Sequence, residues 1–206
     1  MDEQLSSRVR EIKQSFRLLM NGAASQSMRD KGLNYHVNWG ASYQMLQETA
    51  NEIGQDYDLA IALWKENVRE CKILATMLMP AEKMPKEIVD IWMEQTPTQE
   101  IAEQAAFNLY QHLPFAAEKA YQWIADDKQL KQICGYHILS RLFMSGKEPN
   151  DRGINEFLDQ AQTALQQPSL PVRKAAFSAI RHFASLGIMY ERLSKSCLKQ
   201  INLDFF

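Results

Sequence analysis

The side chains best suited to chemistry in this sequence are basic and aromatic groups set close together. Arg29, Lys31, Tyr35, His36 and Trp39 crowd a short glycine-containing stretch, and Lys128, Lys131, Arg141, Arg173, Lys174 and Arg181 recur towards the other end. Cations hold phosphates and aromatic faces stack on bases, so Arg29, Lys31, Tyr35, Trp39, Lys128, Lys131, Arg173 and Lys174 are candidate contacts to nucleic acid. Long basic side chains equally serve to solvate the outer face of a helix. Other chemistries are poorly provided for. His36, His112, His137 and His182 lie far apart, without HExxH or CxxC spacing, so no metal site is expected. Neither Asn21-Gly22 nor Asn38-Trp39-Gly40-Ala41 forms a GxGxxG or Walker arrangement, and no cofactor is expected. Cys71, Cys134 and Cys197 are too sparse for a disulfide framework and fit a reducing cytoplasm.

The net charge of −2 conceals a dipolar chain. Residues 1–40 hold six basic and four acidic groups, residues 41–127 six and fifteen, and residues 128–206 eleven and six. A polyanionic partner must therefore meet the ends and avoid the middle, because phosphate binding follows local presentation of Lys and Arg.

Helices must position these groups. Glycine and proline number only 8 and 7 in 206 residues, too few for a chain built on tight turns. Leu5, Val9, Ile12, Phe16 and Leu19 recur at helical steps, predicting one amphipathic helix that ends near Asn21-Gly22. Further helices are predicted at about 40–53, 57–67, 68–79, 86–95, 98–112, 115–125, 128–144, 153–166, 171–185 and 188–200. No stretch alternates as a strand. Nothing near Met1 reads as a secretory signal and no apolar run approaches a membrane span, so a cytoplasmic protein without a membrane partner is expected. Met77-Leu78-Met79 and Phe205-Phe206 could serve as adaptable apolar surfaces, although a methionine run within a helix is usually core.

A faint repeat runs through the helices. Trp64, Trp92 and Trp123 stand 28 and 31 residues apart, each late in the first helix of a pair. Leu170-Pro-Val-Arg-Lys-Ala-Ala-Phe-Ser-Ala-Ile180 resembles the second helix of a HEAT repeat: Pro171 sets the start, Val172 seals the core, and Ala176 and Ala179 allow close packing. The expected fold is all-α, a single HEAT-like, armadillo-like superhelix of about five or six antiparallel helix pairs spanning 1–206.

Three segments carry a more specific resemblance. Met28 to Ala41 with Gly40-Ala41, Leu59-Ala-Ile-Ala-Leu-Trp64, and Val68-Arg-Glu-Cys-Lys-Ile-Leu-Ala75 resemble the HEAT-like DNA alkylation repair family. The resemblance implies a concave helical surface that cradles duplex DNA. It also implies removal of cationic N-alkylated purines, with a carboxylate stabilising the oxocarbenium-like sugar and aromatic side chains beside it. The family's catalytic segment, approximately Trp-Asp/Glu-x-x-Asp, corresponds to Gln99-Glu100-Ile101-Ala102-Glu103. Glu103 then stands in for the catalytic aspartate and Gln99 for the aromatic. An arginine expected early in the helix after Trp123 falls on Ile133, with Lys131 two residues before it. Early-helix glutamates also simply favour the helix dipole. The resulting expectation is a duplex-DNA-binding member of this family with weak glycosylase activity at most. The alternative is a non-catalytic helical scaffold for a protein partner.

Overall fold

A computed structural model describes residues 3–203, and among them every regular element is helical. Phe205 and Phe206 lie outside the described residues. The chain packs as two compact units that divide between Leu113 and Pro114. No described helix is long and apolar enough to cross a membrane.

The first unit contains α1 (Glu3–Leu18), α2 (Gly22–Asp30), α3 (Tyr43–Ile53), α4 (Tyr57–Trp64), α5 (Arg69–Leu78), α6 (Lys86–Glu94) and α7 (Gln99–Asn108). Helix α5 is its centre, packing against α3, α4 and α7, while α1 packs on α4. Side-chain caps set several helix starts: Asn21, Ser42, Asp56 and Thr98 each accept a backbone N–H three residues on. The indoles of Trp64 and Trp92 stack in parallel at 4.2 Å, joining α4 to α6, and Lys72 Nζ sits 4.5 Å over the Trp64 ring while donating to the Trp64 carbonyl. The tryptophan spacing thus marks core positions. Of Met77-Leu78-Met79, Leu78 and Met79 are core and Met77 is half-buried.

Helix α2 departs from the sequence expectation, in which no helix lies between Gly22 and about residue 40. Its residues carry no apolar stripe and bury only Ser25, so periodicity is silent there; the Asn21 cap starts the helix. Arg29 therefore projects from a helix, and the loop proper begins at Lys31. That loop runs to Ser42 and is pinned to the core by a single parallel bridge between Val37 and Val68.

The second unit contains α8 (Ala116–Ile124), α9 (Gln129–Met144), α10 (Asp151–Leu165), α11 (Leu170–Ala184) and α12 (Ile188–Gln200). Helix α9 packs against α8 and α11, and α11 also against α10 and α12. A Cβ at Gly135 would lie 2.9 Å from the Ala120 carbonyl, so only glycine permits α9 to approach α8 this closely. Phe143, Phe157, Phe183 and Tyr190 form an aromatic cluster with centroids 5.0 to 5.3 Å apart. Val172, Ala176 and Ala179 are fully buried, as the HEAT-type spacing requires. The fold is all-α and HEAT-like.

Candidate nucleic-acid interface

The loop from Lys31 to Ser42 is held by a buried polar network that starts on α5. Glu70, without exposed surface, accepts the backbone N–H groups of Trp39 (3.3 Å), Gly40 (3.0 Å) and Ala41 (3.2 Å). Arg69 donates to the Ala41 carbonyl at 3.0 Å, pairs with Glu70 at 3.2 Å, and grips both oxygens of Glu100 at 2.9 and 2.6 Å. The Tyr35 hydroxyl donates to the same Glu100 carboxylate and lies 2.8 Å from Thr98 Oγ1, the cap of α7. Burial by itself would raise the Glu100 carboxyl, but the Arg69 hydrogen bonds and charge, with Tyr35, outweigh it and hold the group below its ordinary range. Burial, and then the adjacent Glu100, push the Tyr35 phenol far up. At Gly40 (φ 76°) a Cβ would meet the Asn21 carbonyl at 2.2 Å, so glycine is required where the loop crosses the start of α2.

This geometry separates the four early candidates. Tyr35 anchors the loop with its hydroxyl. Arg29 and Lys31 are exposed, Arg29 Nη1 donating to Gln26 at 3.2 Å. Trp39 is half-buried, its backbone fixed, and it lines a groove together with residues of α1.

Glu103 lies half-buried on α7, its Oε1 accepting from Gln99 Nε2 at 2.7 Å. Its neighbour Glu100 is engaged by Arg69, so the two glutamates have different surroundings. Although Gln99 lacks an aromatic face, Phe107 follows Glu103 by one helical turn and its ring centroid is 6.1 Å from that of Tyr43. The i, i+4 spacing of Glu103 and Phe107 was the signal available for this pair. Ile133, where an arginine was expected, is only 2% exposed and belongs to the core.

In the second unit, α11 presents Arg173, Lys174, Phe177, Ser178, Arg181 and His182 along one face, at successive steps of one, three, one, three and one residues. They line a groove of about 600 Å³ to which no carboxylate contributes among the described residues, with Leu165, Leu170 and Leu203 as its apolar part. Arg173, Lys174 and Arg181 are exposed. Ser140 Oγ lies 2.6 Å from His182 Nδ1; burial first, then the charges of Arg141 and Arg181, lower the His182 pKa and leave it uncharged at neutral pH. Lys128 and Lys131 do not line this groove. Lys131 is drawn into an ion pair with Asp126 at 3.0 Å, and the same carboxylate accepts the Lys128 backbone N–H at 2.9 Å. Arg181 and His182 were the groove members that charge counting alone could not join to Arg173 and Lys174.

Comparison with curated proteins found no match. A solved structure described as a new family of proteins related to the HEAT-like repeat DNA glycosylases, with affinity for branched DNA structures, is similar with a TM-score of 0.84. It shares 14% identity, and the match covers 94% of this chain and 83% of that one, a likeness of fold. The family model described as DNA alkylation repair enzyme matches residues 12–186. That span takes in the loop and its Glu70 anchor, Glu103, and the basic face of α11, and the chain belongs to the DNA alkylation repair enzyme family.

Proposed function

We propose that the protein binds duplex DNA, with the exposed face of α11 gripping the phosphate backbone. The observation that carries this reading is the groove in which Arg173, Lys174 and Arg181 stand on one helix face, with no carboxylate among the described residues that line it. Such a row of cations gives affinity that depends on salt and little on sequence. The affinity for branched DNA named for the structural relative favours nucleic acid as the partner class. Arg29 and Lys31 are further backbone contacts in this reading, Lys128 a weaker one, and Lys131 is tempered by Asp126. A DNA partner also agrees with the cytoplasmic location expected from the sequence.

Catalysis is a secondary part of this proposal. Glu103 supplies the anion, and Phe107 and Tyr43 the aromatic surface that Gln99 lacks. With Ile133 buried, no cation comes from that position, so base release from N-alkylated purines is expected to be weak. The competing reading, a scaffold for a protein partner, is favoured by Leu165, Leu170, Phe177 and Leu203, which would suit an acidic amphipathic helix in the same groove. Titration of a labelled duplex at rising salt decides between them. Steep loss of affinity supports DNA, and absence of binding at low salt supports the scaffold.

A further inference from the structure

A second basic and aromatic groove lies in the first unit, on the opposite end of the sequence from α11. Arg10, Lys13, Gln14 and Arg17 recur along α1 at steps of three, one and three residues, and so share one face. With Trp39 they line a groove of about 550 Å³. Leu18 and Met20, 80% and 61% exposed, complete it as apolar surface. Lys13 is committed to Glu66 at 2.6 Å. Arg10 and Arg17 are exposed, two helical turns apart, and among the described residues no carboxylate lines the groove with them.

Trp39 is positioned from behind. Its carbonyl accepts the Asn21 N–H at 2.8 Å, its own N–H reaches Glu70, and the next two N–H groups are also held by Glu70. The indole is thus carried on a backbone tied to the core, which lowers the entropy lost when a ligand stacks on it.

We propose that this groove takes an unpaired nucleotide of single-stranded or branched DNA, its base stacked on Trp39 and its flanking phosphates held by Arg10 and Arg17. An indole face with neighbouring cations is the combination that binds single strands without sequence preference. A base inside a duplex keeps its faces against its neighbours and cannot stack there. The inference rests on the reading that DNA is the partner, but it assigns a different surface and a different strand state from α11.

The test uses the protein's own fluorescence. Trp64, Trp92 and Trp123 are 1%, 2% and 3% exposed, so a base reaching tryptophan reaches Trp39. Titration with single-stranded oligothymidylate is expected to quench the accessible emission. Joint Arg10→Gln and Arg17→Gln substitution should weaken single-strand affinity without changing duplex affinity, and Trp39→Ala should weaken it by about tenfold, the scale of one base stacked on an aromatic ring. Trp39→Phe, which keeps an aromatic face, should retain most binding and lose the quench. Arg173→Gln with Lys174→Gln should reduce duplex binding and leave the quench intact. Duplex binding without any quench overturns this inference alone. Quench without duplex binding supports it and sinks only the reading of α11. Equal quench and competition by an acidic peptide overturns it in favour of a protein partner.

Discussion

Replacing Arg173 and Lys174 with glutamine removes two of the three cations on the exposed face of α11 and preserves its length and polarity. If all three neutralise phosphates, they contribute about −2.7 to the slope of log affinity against log salt, and their share of the affinity falls roughly 40-fold between about 50 and 200 mM salt. With Arg181 alone on this face that contribution drops to about −0.9, and its share of the loss over the same change in salt is only about threefold to fourfold. Both side chains are exposed, and surface changes of this kind leave stability within about 0.5 kcal/mol, so a large loss of folded protein is not expected. Fluorescence anisotropy of a labelled duplex at several salt concentrations measures both slopes. Matched substitution of Lys128 with Lys131 should act less strongly, because Asp126 already engages Lys131, and substitution of Lys83 with Lys86 in the acidic middle should act least. An unchanged slope in the Arg173/Lys174 variant, or equal effects at all three pairs, would refute the assignment of α11 to the phosphate backbone.

Four other outcomes test the interior and the candidate carboxylate. Glu103→Gln should preserve the fold and DNA affinity while lowering release of a methylated purine from duplex DNA; robust release unaffected by the change would place the anion elsewhere. Glu70→Gln weakens the acceptor for three backbone N–H groups and leaves Arg69 short of one carboxylate, so urea unfolding should show a loss of about 3–5 kcal/mol, the scale for breaking a buried ion pair. The lowered Glu100 carboxyl stabilises the fold fully above its ordinary value of 4.5, and that contribution is lost as pH falls through the lower folded value. Glu100→Gln should therefore flatten the acid limb of a stability–pH curve relative to wild type, whereas identical limbs would show that the Arg69 pair does not shape it. Trp92→Ala should cost about 3–5 kcal/mol in unfolding experiments by emptying the stack against Trp64, and a cost near zero would contradict its place in the core.

Helical periodicity made much of the fold legible, since it is a property of near neighbours along the chain. Val172, Ala176 and Ala179 are buried while Arg173 and Lys174 are exposed, which follows from 3.6 residues per turn once α11 is drawn. Arg173 and Lys174 are readable together for the same reason, whereas Arg181 joins them only in the folded groove. Helix α2 was not legible, because Gly22–Asp30 has no apolar stripe and depends on a cap. The helix predicted at 68–79 is α5, but local pattern does not reveal its burial: Arg69, Glu70, Lys72 and Thr76 look like a solvent face yet are buried. Each is satisfied by a partner from elsewhere: Glu100 for Arg69, the loop at Trp39–Ala41 for Glu70, the Trp64 carbonyl for Lys72, and the Asn108 amide, which donates to Thr76. Trp39 and Arg10 likewise meet across 29 residues of chain, through the fold of α1 against α4 and the Glu70 anchor of the loop. The sequence by itself determined which segments coil and which helix faces are apolar, because those follow from contacts within a turn or two. Only the tertiary structure decided which charges are buried and which cations share a groove, because a buried charge is tolerated only where distant residues supply its hydrogen bonds.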